Sequence, residues 1–479
     1  MKTRTPLDAV AMQRRQWLKF TGGTLAGALG LGGLGSLLHT PVQAQAGYKA
    51  LVCVFLYGGN DGLNTIVPTD TTRYNQYANV RGSLALPRTS LVGLGSSGYG
   101  LHPAMAALEP VWNQGHLAPV FNVGPLFAPM TKTEYRNAPA NSSLIPDALF
   151  SHSDQQLLWE AASTSAMART GWGGRAAETL ATANPVISVG GNGRFGLSTL
   201  AAPLVLPGPG ATFGLEGLSN TDWAPVGTRK TAIDALYAGS HPNALLDAYA
   251  SQQRDAFAMS DRLGALVKTT PSSTDASAAI NLAFAPLINE GSITSGLGQQ
   301  LYQVAKLIEG RTTVQGERQI FFASLGGFDT HGNQIGSSST VGEHARLLGI
   351  LAQAMACFNQ AMLNLGLGQN VTLFTQSDFG RTFKPNNSAG TDHAWGNHHL
   401  VMGGAVAGGT TYGTYPELVL GGPDDVGVQS WELHGRWIPK VGVDQYASTL
   451  LRWFGATDTQ LDTILPNLRN FSQRQLGFV

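Results

Sequence analysis

Downstream of Gly342, residues Leu348, Leu351, Met355, Phe358, Met362 and Leu365 recur at three- and four-residue steps, and Gly366 closes the run just before Val371-Thr372-Leu373-Phe374-Thr375. The first set is the apolar stripe of an amphipathic helix with a glycine at its C-terminal cap. The second is short, continuous and β-branched, as in a strand buried on both faces. A helix leading into such a strand is part of a βαβ unit, and such units make parallel sheets. Similar apolar runs lie at residues 51–57 (ended by Gly58-Gly59), 117–123, 186–189, 320–325 and 400–402, with helical periodicity between them. The expected fold is therefore α/β, a doubly wound, mostly parallel sheet with helices on both faces.

Sheets of this kind bind ligands outside the carboxyl ends of their strands. Asp61, Asp329 and Asp378 each come just after a predicted strand. Five of the eleven histidines, His331, His344, His393, His398 and His399, fall between Asp329 and His399, in a chain only 13% charged. Carboxylate and neutral imidazole together are ligands for zinc, manganese or iron. Asp329 and His331 are two residues apart, a spacing that faces both the same way in extended chain. Asp378, Asp392, His393 and His398 complete the expected ligand set. His399 reads as a supporting or structural residue and His344 as a surface one. Arg381, in the turn after Asp378, has a guanidinium suited to a phosphate or sulfate fork.

The first 46 residues read as an address. Arg14-Arg15-Gln16-Trp17-Leu18-Lys19 precedes a glycine-diluted apolar run and an Ala44-Gln45-Ala46 cleavage pattern. This resembles a twin-arginine signal and implies the export machinery as a partner, with a periplasmic or extracytoplasmic destination. Residues 47–479 are expected to form one large domain, with a Gly/Pro/Ser-rich insertion or cap at about 190–313. No later apolar run is expected to span a bilayer, so no stable membrane insertion of the mature chain is expected. Equal numbers of basic and acidic residues, 30 of each, give no reason to expect nucleic acid. Two cysteines, Cys53 and Cys357, are too few for a disulfide framework. Gly191-Asn192-Gly193-Arg194-Phe195-Gly196 matches a dinucleotide fingerprint, but the prolines that follow oppose the helix that motif requires.

Several motifs taken together resemble domain of unknown function 1501, a family placed in the alkaline phosphatase and sulfatase superfamily. They are Gly58-Gly59-Asn60-Asp61-Gly62-Leu63-Asn64-Thr65, Leu101-His102-Pro103, Phe150-Ser151-His152-Ser153-Asp154, Gly171-Trp172-Gly173-Gly174-Arg175, Phe328-Asp329-Thr330-His331 and Asp378-Phe379-Gly380-Arg381. The resemblance implies an alkaline-phosphatase-like sheet, one or two divalent metal ions and a phosphate or sulfate ester as substrate. It also implies Asp61 as the first-strand ligand and Ser151 as nucleophile at a helix start, with His152 and Arg381 in the catalytic set. Thr65 is a second nucleophile choice. Two departures stand out: Phe379 follows Asp378 where the superfamily often has histidine, and Asp329-x-His331 replaces a wider spacing. The alternative expectation is a degenerate member of the fold that binds a ligand or partner without catalysis.

Overall fold

The computed structural model describes residues 47–479 apart from 140–141, 212, 214–216, 219–222 and 240; the expected export leader lies outside the described residues. Nine strands make the central sheet: β1 (Lys49–Leu56), β2 (Leu117–Gly124), β3 (Ile187–Ser188), β4 (Leu204–Val205), β5 (Arg318–Leu325), β6 (Val371–Ser377), β7 (Asn397–Met402), β8 (Tyr412–Gly413) and β9 (Val441–Gly442). Their spatial order is β8-β2-β7-β6-β1-β5-β3-β4, with β9 also pairing β2. β1 is parallel to both β5 and β6, and β3 and β4 extend that parallel half. β7 runs antiparallel to both its neighbours, so its first residues lie at the edge where the parallel strands end.

Both faces of the sheet are covered, which explains the unbroken apolarity of β1. Val52, Val54 and Leu56 join one core with α4 (Gly296–Glu309) and α5 (Glu343–Asn364). Leu51, Cys53 and Phe55 join the other, formed with α2 (His152–Ala161), α3 (Trp172–Thr179) and α6 (Val443–Phe454). Each such side chain, fully buried, contributes about 1.5–3 kcal/mol. The mixed α/β architecture matches the sequence reading, and α5 is the helix whose stripe announced it. By length and composition α5 could cross a bilayer, contrary to expectation, but its apolar side is spent on the sheet. Cys53 and Cys357 are both free, and they lie in the cores on opposite faces.

Two local expectations need correction. The 190–313 stretch does not simply lie over the sheet: β4 extends its edge, and α4 is buried against it. The helix Ala244–Lys268 also sends Leu263 and Val267 into the same core. His344 is not on the surface. The first turn of α5 passes beneath the strand ends, and His344 Nε2 lies 3.0 Å from Asn60 Oδ1. The fingerprint-like glycines lead only into a short 3-10 turn, Arg194–Gly196.

Candidate metal centre

Three chain segments must crowd together at the strand ends, and Gly58-Gly59 makes room for them. A Cβ on Gly58 would sit 2.3 Å from the Asp329 backbone nitrogen, and one on Gly59 would sit 2.4 Å from the Phe379 ring. Both have positive φ, +112° and +79°, which glycine adopts without strain. The turns after β5 and β6 can therefore close on the end of β1. Gly58 N donates to both oxygens of Asp378 at 3.2 Å.

His152, Asp329, His331 and His393 converge at this edge, with one ligand atom from each within 4.8 Å of the others. His152 comes from the first turn of α2, Asp329 and His331 from the loop after β5, and His393 from the loop entering β7. Asp329 Oδ1 lies 3.2 Å from His152 Nε2, 3.1 Å from His331 Nε2 and 3.4 Å from His393 Nε2. His331 Nε2 and His393 Nε2 are 2.7 Å apart. Four ligands around a tetrahedral zinc stand roughly 3.3 Å from one another, given bonds of about 2.0–2.1 Å. The donor set and its spacing fit a single divalent cation.

The outer nitrogens strengthen this fit. His152 Nδ1 lies 2.7 Å from Asp378 Oδ2, His331 Nδ1 2.9 Å from Asp392 Oδ1, and His393 Nδ1 2.6 Å from the Phe150 carbonyl oxygen. Each acceptor fixes its ring with the Nδ1 proton outward and the Nε2 lone pair inward, the arrangement found around metal-bound histidines. His152 Nε2 is buried and makes no directed hydrogen bond among the described residues. Asp378 also accepts from Gln156 Nε2 at 2.9 Å, and Asp392 from Asn386 Nδ2 at 3.0 Å. Phe379, where histidine was expected by resemblance, packs its ring 4.7 Å from His152 and 4.6 Å from His393, closing one side with hydrocarbon. The open side faces Asp329 and His331, whose side chains are 47% and 45% exposed.

Charges and burial shift three of these groups toward the form that binds a cation and one, His152, away from it. Burial opposes ionisation of Asp329, but the hydrogen bond and charge of Arg381 outweigh it and keep the carboxyl below its ordinary range. Asp392 is likewise held low: its partial burial is overcome by Asn386 and His331. His152 is pushed up, first by its bond to Asp378. His393 is pushed down, first by burial.

The sequence-derived set divides in the structure. Asp329, His331 and His393 offer candidate ligand atoms, while Asp378 and Asp392 stand behind two of the histidines as their partners. His152, expected in a catalytic role, stands among the residues that could hold a cation. Asp61 is not in the cluster: Arg81 forks both its oxygens at 2.7 Å, and both side chains are fully buried. His398 is also elsewhere, buried with Nδ1 accepting from Asn122 N at 3.1 Å. Arg381 is buried and spent on Asp329 (2.9 Å) and on the Gly58 and Thr391 carbonyls, so it orients a ligand and does not present a free fork. Ser151 is the N-cap of α2, but its hydroxyl lies 2.6 Å from Asp154 Oδ2 and makes no hydrogen bond to the cluster. Thr65 is buried and donates to the Asp61 carbonyl. Sequence reasoning missed Gln156, Asn386, Gln334 and Thr391, whose amides and hydroxyls have no spacing signature.

The chain matches the family described as Protein of unknown function (DUF1501) over residues 48–465 and belongs to it. No curated protein matches the chain. Two solved structures, "Crystal structure of Ps i-CgsB" and the same protein "in complex with k-i-k-neocarrahexaose", are each 11% identical to it. Both align over 88% of this chain and 77% of their own at a TM-score of 0.34, too low to define a common fold.

Proposed function

We propose that this DUF1501 chain is an exported, metal-dependent hydrolase of the alkaline phosphatase and sulfatase type, acting on a phosphate or sulfate ester. The observation that carries the proposal is the inward convergence of three Nε2 atoms on Asp329, with every Nδ1 held from behind. A structural metal site is usually closed, whereas this one is exposed on the Asp329 and His331 side, as a site that admits substrate must be. A divalent cation there would polarise an ester oxygen and lower the pKa of an attacking hydroxyl or water. Zinc, manganese and iron all suit the donor set.

The chain's own groups then have separable roles. His152, His331, His393 and Asp329 bind the cation, and Asp378 and Asp392 orient two of the imidazoles. Arg381 fixes Asp329, and Phe379 excludes water from one flank. Ser151, next to His152, is the nucleophile this reading assigns; Asp154, 2.6 Å away, is positioned to accept its proton. The twin-arginine pattern at residues 14–19 supports export to the periplasm, with folding and cation loading before transport.

Elemental analysis followed by a screen of chromogenic phosphate and sulfate esters tests the proposal. Bound cation with turnover lost in Ser151→Ala, at unchanged cation content, is the expected result. Full turnover in Ser151→Ala would assign attack to water. One observation favours a second reading: the burial and full engagement of Arg381 leave the cluster without a free guanidinium for an oxyanion. In that reading the protein binds the cation and a ligand or partner but hydrolyses nothing, so cation would be found and every ester left intact.

A further inference from the structure

Asp61 and Arg81 form a fully buried ion pair, an arrangement whose desolvation cost makes it a poor source of stability by itself. Its hydrogen bonds lead to the cation cluster. Asp61 Oδ2 accepts from Gln334 Nε2 at 2.6 Å, which fixes the Gln334 amide with its oxygen turned away. That oxygen accepts from Thr391 Oγ1 at 2.6 Å and from Thr330 Oγ1 at 3.3 Å. With its proton spent on Gln334, the Thr391 hydroxyl turns a lone pair toward Arg381 Nε at 3.4 Å, and the Thr391 carbonyl accepts from Arg381 Nη2 at 2.5 Å. Arg381 Nη1 then donates to Asp329 Oδ1 at 2.9 Å. Donor and acceptor roles alternate without conflict from Arg81 to Asp329.

We infer that the Asp61–Arg81 pair is a positioning device for the Asp329 ligand, acting through Gln334, Thr391 and Arg381. The inference rests on the cation-binding reading of the cluster. The strand-end carboxylate of β1 thereby acts at one remove, since Asp61 does not touch the cation but sets the carboxylate that does. Buried, fully bonded networks suit this use, because each member has one low-energy orientation. Asp61, Arg81, Gln334, Thr391 and Arg381 are all buried. The network therefore holds its geometry away from water.

The test is zinc titration of chelator-stripped, full-length protein, with thermal unfolding of the stripped protein measured alongside. Thr391→Val keeps the side-chain shape and removes both hydroxyl bonds; Gln334→Leu cuts the link to Asp61 while leaving the Arg81 pair intact. Loss of an outer partner typically weakens metal binding about 10–100-fold, so the zinc dissociation constant should rise at least about tenfold in each variant. Thr391→Ser should bring it back to within about threefold of the unmodified chain. If one of Thr391→Val and Gln334→Leu fails to fold, the other decides. A dissociation constant raised less than about threefold, even with a lower unfolding temperature, would make the network merely structural and overturn the inference. Failure of the unmodified protein to bind zinc, manganese or iron would instead remove the cation reading itself.

Discussion

Lowering the pH should destabilise this protein through histidines outside the cluster, by an amount the structure sets. His102, His344, His398 and His399 are each at most 4% exposed. Burial is the first cause of their shifts, and it pushes His102, His398 and His399 down to about 3 and His344 down to about 4. In the unfolded chain each returns to about 6.5. Because the folded values are the lower ones, the unfolded state takes up protons first. Stability is intact above about pH 6.5 and falls as pH drops below it, levelling only near the folded values. At about pH 5 each histidine costs about 2 kcal/mol. Even with incomplete additivity, four such terms rival a total stability of about 5–15 kcal/mol. The assay is calorimetric unfolding in two buffers of different ionisation enthalpy, which counts protons taken up. His399→Phe is the informative variant, since among the described residues His399 Nε2 has no hydrogen-bond partner and Nδ1 only a 3.4 Å contact with Thr375 Oγ1. It should take up about one proton fewer than the unmodified chain at about pH 5, and the same number at about pH 8. Equal uptake at the lower pH would refute the reasoning, because His399 would then be charged in the folded protein.

Cluster and partner residues should respond differently. Replacing His331 or His393 by alanine should abolish stoichiometric zinc or manganese binding, read by elemental analysis after desalting, with little change in the unfolding temperature of the stripped protein. Asp392→Asn should keep the cation but weaken its binding about 10–100-fold, seen by competition with a chromogenic chelator. Asp61→Asn should lower stability by about 3–5 kcal/mol, because it leaves the Arg81 charge buried and unpaired; denaturant unfolding measures it, and the cation-to-protein ratio should stay at one. Cation binding itself should weaken as pH falls, since His152, whose affinity for a proton is raised by Asp378, must lose that proton to bind; zinc titrations at stepped pH should show it.

The pattern of what could be read from sequence follows from how each residue is placed. The helix stripe of α5 and the apolar runs of β1, β5 and β6 are local periodicities, so the layered sheet and its binding edge were legible. Asp329, His331 and His393 were legible for a related reason: they sit in glycine-flanked loops, the first two just past β5 and the third in the loop entering β7, within one stretch of chain. His152 lies far upstream, at the start of a helix on the opposite side of the sheet from α5, and only the fold brings its Nε2 to Asp329. The misplaced ligands share a different cause. An acid after a strand has the same local signature whether it meets a cation or an arginine, and Arg81 lies in α1 (Thr71–Arg81), whose burial is confined to Tyr77 and Arg81 itself. His398 is the second residue of β7, a strand buried along its length, where an imidazole can be buried without serving any ion.

That division bears on how the site is built. Three of the four candidate ligands, Asp329, His331 and His393, come from loops, and loops alone would leave them mobile. Behind them stand groups anchored in regular elements: Asp378 at the end of β6 held by Gly58 and Gln156, and Asp61 capping the one-turn helix Gly62–Thr65 while gripping the last residue of α1. Precision in a binding site comes from such supports. If the supports were only packing, conservative changes at Thr391 or Asp392 would shift stability and leave cation affinity alone. Directed hydrogen bonds from His331 to Asp392 and from Arg381 to Asp329 require the opposite, because each removes a rotational freedom from a residue of the cluster. Affinity measured on the stripped and reloaded protein therefore tests the construction of the site independently of whichever ester, if any, it cleaves.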